Sequence, residues 1–117
     1  MPNTSGLGES EQTTTDMLDI VVSSHRDGHE TLRCIAQRSI HDAPTCEEVA
    51  SGQWSLAEAE LFHAADVMKE FFELLVDDLN NITFRDAIIV TLVQSALSDV
   101  DWQELAANYI TRVKENA

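Results

Sequence analysis

The chain reads as an all-α protein, a small helical bundle. Three observations predict this. Apolar residues recur at spacings of three and four, residues that cap helices stand ahead of those runs, and the single strand-like run has no convincing partner to pair with. Three helices, at about 55–80, 83–98 and 101–115, make up the body, and one or two helices with weaker patterns precede them.

Residues 1–14 are Ser, Thr, Gly, Glu, Gln and Asn with one lone Leu7, too little apolar surface to offset chain entropy. They are expected to form a disordered tail ahead of a single helical domain over 15–117. In the run Met17 to Val22, periodicity alone does not separate helix from strand. Helix is favoured, capped by Thr15 or Asp16, with Met17, Ile20 and Val21 inward and Gly28 ending it. Glu30 to Ile40 reads as a second helix, with Leu32, Ile35, Ala36 and Ile40 inward, stopped at Asp42-Ala43-Pro44. A single turn follows at Cys46 to Ala50, capped by Thr45 and closed by Gly52.

Ser55-Leu56-Ala57-Glu58 is a capping box, in which serine and glutamate each satisfy the other's backbone N–H. Behind it Leu61, Ala65, Met68, Phe72, Leu75 and Leu79 form one helical stripe, widened by Ala64, Val67, Phe71 and Leu74. Asn80-Asn81 suits the left-handed turn that ends the helix. Thr83 caps the next helix, which carries no charge from Ala87 to Ser98. A helix without a charged face is usually buried on most sides, so 84–98 is expected at the centre of the bundle or in a self-association interface. Asp101 caps the last helix, which turns Trp102, Leu105, Ala106, Tyr109, Ile110 and Val113 inward and ends in Arg112 and Lys114.

With 117 residues there is room for one core. Twenty-one acidic residues against seven basic ones give a formal net charge of −14, which repels phosphates and so argues against a direct reader of nucleic acid. Lysine is confined to Lys69 and Lys114, a bias that also fits a high-salt habitat. The first residues lack a basic, apolar leader pattern, and no run is apolar and long enough to span a bilayer. A cytoplasmic protein without a membrane span is expected. Two cysteines are too few for a disulfide scaffold.

No catalytic motif is present, so a non-enzymatic module that binds a protein, basic in one version, is the leading expectation, with no cofactor. The surface proposed for that partner is an acidic ridge, Asp66, Glu70, Glu73 and Asp77, lined up along one helix face; the bland reading is a solvated face. Homodimerisation is assigned to the neutral face Ala87, Thr91, Gln94, Ser95 and Ser98, which the amino-terminal helix would alternatively cover. His25, His29, Cys34, His41 and Cys46 are five metal-ligating types within 22 residues, the basis of an alternative reading as a metal-binding protein or metal-dependent enzyme. Against it stands the lack of any recognisable zinc spacing, and surface histidines with inert cysteines are the plainer reading. A further alternative is a structural domain of a halophile. Glu60-x-x-His63 is half of a di-iron pattern without its other half.

Overall fold

Residues 13–78 and 83–116 are described by a computed structural model, and among them every regular element is helical. The order is α1 (Thr14–Ser24), α2 (Arg26–Asp42), a 3-10 turn (Ala43–Thr45), α3 (Glu47–Ala50), α4 (Leu56–Asp77), α5 (Phe84–Ser98) and α6 (Trp102–Glu115). The expected tail over 1–14 falls on residues 1–12 outside the described part, and so does the Asn80-Asn81 turn. Thr14 begins α1 and Thr13 is its N-cap.

Local signals placed most of the helix starts. Ser55 and Glu58 close the anticipated capping box, and the hydroxyl of Thr83 and the carboxylate of Asp101 accept the N–H groups of Asp86 and Glu104. At α1 the cap is Thr13, two or three residues earlier than expected, in a second capping box with Asp16. The 17–22 run is thus helical. Gly28 does not end it: His25 is the break, and Gly28 sits in the first turn of α2, where an added Cβ would lie 3.4 Å from the Val22 carbonyl. Gly52 does close the turn after α3, at φ +82°, a conformation that costs glycine little.

The core is built by α1, α2, α4 and α6. Leu32, Met68, Leu105 and Tyr109 are fully enclosed, with Val22, Ala36, Ala64, Ala65, Ala106 and Ile110 between them. Small residues on α4 and α6 let those two helices approach closely. Burial of each large side chain contributes roughly 1.5–3 kcal/mol.

Two expectations about which side faces in are corrected. On α1, Met17, Ile20 and Val21 point to solvent at 48–55% exposure, while Thr15, Asp19 and Val22 are buried. The polar residues turn inward because each finds a partner: Thr15 Oγ1 accepts the Asp101 N–H at 2.7 Å, and Asp19 receives Arg112 and Asn108. The larger correction concerns 84–98. This helix contributes nothing to the central cluster; it leans on α4 from outside, and only Val90 in it is buried. The amino-terminal helix does not cover it, since α1 packs on α2 and α6. Apolar residues surround α5 almost evenly, so the sequence contains no preferred inward direction. For the described residues the radius of gyration is 16.7 Å, against about 13 Å for a compact chain of this length, in keeping with a helix carried on the outside.

Candidate functional site

The exposed surface of α5 is the least water-compatible part of the molecule. Phe84 is 83% exposed and Leu92 65%, with Ile88 and Ile89 close to half. Phe84, Ile88 and Leu92 follow at intervals of four and form one ridge along the helix. Beside it runs a second row at the same interval, Ala87, Thr91 and Ser95, all small. Thr91 donates its hydroxyl to the Ala87 carbonyl at 2.8 Å and Ser98 donates to Ser95 at 2.6 Å, so these hydroxyl donors are already used within the helix. Arg85 and Asp86 are the only charges from Phe84 to Ser98.

Of the residues assigned to self-association from sequence, Thr91, Gln94, Ser95 and Ser98 are exposed and Ala87 is half-buried. Phe84, Ile88 and Leu92 were not among the residues assigned to self-association from sequence. Gln94 lies at the edge of a groove shared with Lys69 and Glu73 of α4.

The acidic ridge has the expected geometry: Asp66, Glu70, Glu73 and Asp77 are all exposed on α4. None of the four has an ion-pair partner among the described residues. Glu60, one turn before His63, behaves differently. It is buried and accepts a 2.7 Å bond from Lys114 Nζ, a structural pairing rather than a metal ligand.

Asp19 anchors a second buried network. Arg112 donates to both of its oxygens at 2.9 Å, Asn108 adds a bond at 3.2 Å, and the guanidinium lies 4.7 Å above the Tyr109 ring. Tyr109 Oη in turn pairs with His29 Nδ1 at 3.2 Å. Burial raises the Tyr109 phenol above its ordinary value of 10.0, and the Asp19 charge adds to the effect. The hydrogen bonds it donates to Asp19 likewise hold the Arg112 guanidinium above its usual range, so it stays charged throughout. The folded chain therefore retains the phenolic proton where the unfolded chain loses it. This contribution to stability is intact below pH 10 and is lost as the pH rises through the folded value. Tyr109→Phe is accordingly expected to flatten the alkaline fall in stability, which urea titrations at pH 8 and above would measure; an unchanged slope would contradict the assignment.

The five His and Cys residues proposed as metal ligands are not brought together. His25 is exposed at the α1–α2 break, His29 is engaged by Tyr109, and His41 pairs with the adjacent Asp42 at 3.0 Å. Cys34 is exposed on α2, lining a groove of about 590 Å³ between α2 and α4. Cys46 has different neighbours: one donor atom each from Cys46, Glu48 and His63 lies within 4.8 Å of the others, all three residues half-buried. His63 faces that groove as well, and the Trp54 ring meets it edge-on at 5.7 Å. His63 did not stand out with Cys46 and Glu48 in the sequence because 17 and 15 positions separate it from them across the turn at Gly52.

Searches of protein-family models, curated proteins and solved structures found no match to this chain. None of the described helices is long and apolar enough to cross a membrane.

Proposed function

We propose that the protein is a self-associating interaction module, with α5 as the contact between two copies. The observation that carries the reading is the exposed ridge Phe84–Ile88–Leu92 beside the row of small residues Ala87–Thr91–Ser95. Across a two-fold axis the ridge of each copy fits the small-residue row of the other, the ridge-into-groove packing of adjacent helices. The four exposed apolar side chains of α5 present on the order of 500 Å², at the upper end of what monomers leave open. Two such faces bury about 1,000 Å² together before any polar rim is counted, near the lower bound of a specific interface.

Charge leaves α5 as the face where a second copy meets least repulsion. Chains of net charge −14 repel each other over most of their surface, and α5 carries one charge of each sign. The outer face of α1 exposes Met17, Ile20 and Val21 too, but without a residue as open as Phe84. Ser95 lies in the small-residue row, beside the ridge. In a Cys34→Ser, Cys46→Ser background, Ser95→Cys should form an intermolecular disulfide on mild oxidation, while the same probe at exposed Ser23 on α1 should not. Equal cross-linking at both positions would sink the proposed contact.

A further inference from the structure

We infer that Cys46, Glu48 and His63 form a site for a divalent transition metal, most suitably Zn²⁺, with three protein ligands and a fourth position for water. It is independent of the self-association reading and draws on a different face of the molecule. The donor atoms lie within 4.8 Å of one another. Zn–S and Zn–N bonds in a tetrahedral site place donors about 3.5 Å apart, so small side-chain rotations close the remaining gap. A thiolate, an imidazole and a carboxylate suit zinc, whereas calcium and magnesium prefer all-oxygen sets.

Two further observations point to a cation here. The first concerns charge. The more deeply buried carboxylates, Asp19 and Glu60, are each matched by a base, Arg112 and Lys114. The half-buried Glu48 carboxylate has no hydrogen-bond or ion-pair partner among the described residues, nor do the Cys46 and His63 side chains. With seven basic residues in the chain, a bound cation supplies the missing positive charge. On binding, the Cys46 thiol gives its proton to solvent, and thiolate and carboxylate together neutralise the two charges of the metal.

The second observation is that the backbone already holds the three ligands in place. His63 is fixed by α4, one turn beyond the capping box. The Cys46 carbonyl accepts the Ala50 N–H at 3.1 Å, and the Glu48 carbonyl accepts the Trp54 N–H at 3.0 Å, which folds the 46–54 segment back on itself. Trp54 then packs against both Phe62 and His63. Metal at these ligands would tie the α3 turn to α4.

The test is a titration of chelator-treated full-length protein with Co²⁺ and then Zn²⁺. One Co²⁺ per chain is expected, with a thiolate-to-cobalt charge-transfer absorption, quenching of Trp54 emission, and displacement by Zn²⁺. Cys46→Ser should abolish the charge-transfer absorption. His63→Ala and Glu48→Gln should each weaken binding at least a hundredfold, beyond the roughly 10- to 100-fold lost when a partner behind the ligands is removed. Cys34→Ser should change nothing. Circular dichroism establishes that each variant is folded, and Glu48→Gln, nearly isosteric, serves if another variant is not. The inference is overturned by the absence of charge-transfer absorption, by its loss with Cys34→Ser in place of Cys46→Ser, or by affinity indifferent to both His63→Ala and Glu48→Gln.

Discussion

Replacing Ile88 and Leu92 together with aspartate is expected to leave a folded monomer. Both side chains stand in solvent within one copy, at 43% and 65% exposure, so the substitution removes little packing. The cost within the helix is that of aspartate's lower propensity, at most about 0.7 kcal/mol per site. In a two-fold contact the same change sets four carboxylates in one apolar seam. Desolvated like charges cost several kcal/mol, which is a loss of affinity of a hundredfold or more. Met17→Asp with Val21→Asp is the matched control, because those α1 residues are exposed at 48% and 55%. Light scattering should report a halved mass for the α5 pair alone. A loss of association with the α1 pair would move the contact to that helix.

The second large effect concerns stability. Arg112→Ala should cost about 3 kcal/mol, because it strips both strong donors from a carboxylate whose side chain is 12% exposed and leaves it one neutral amide. For a domain of this size that is a fall in Tm of about 10 °C. Asp19→Ala should cost less, about 1–2 kcal/mol, since the Arg112 side chain is 40% exposed and its charge can turn to water. The asymmetry is the informative part. Equal losses in calorimetry, or a double variant whose loss is the plain sum of the two, would show that the pair does not act as one buried unit.

The residues that carry these two effects were legible to different degrees. The starts of α4, α5 and α6 could be read from Ser55, Thr83 and Asp101 because capping is a local contact over three residues. The face of α6 that builds the core followed from its periodicity, and so did Leu61, Ala64, Ala65, Met68, Phe71 and Phe72 on α4, whereas Val67, Leu74 and Leu75 of the same α4 stripe are exposed. The inward turn of Asp19 could not be read, because its partner Arg112 lies 93 positions away and only packing brings the two together. An aspartate on an apolar helix has no local sign that it is buried. The placement of α5 failed for another reason. Ile88, Ile89, Leu92 and Val93 point in several directions, and a helix apolar all round says that something should cover it without saying from which side. The absence of charge thus marked α5 as apolar on every side and misled in placing it at the core.

The clusters show the same division. The ridge Asp66, Glu70, Glu73 and Asp77 is a single-helix feature and lies where its spacing puts it. Ligand types counted within one window selected His25, His29, Cys34 and His41, which the fold disperses. Cys46 alone joins a three-donor group, through Glu48 and a histidine one helix away. Convergence of that kind depends on the turn at Gly52, and spacing in the sequence does not report it.

The central claim is that two copies meet through α5, and sedimentation equilibrium of the untagged chain tests it most directly. Twice the chain mass of 13.0 kDa is expected, with association strengthening as salt screens the −14 charge of each copy. A single-chain mass at every concentration and salt level, with Phe84 still open to solvent, would contradict it.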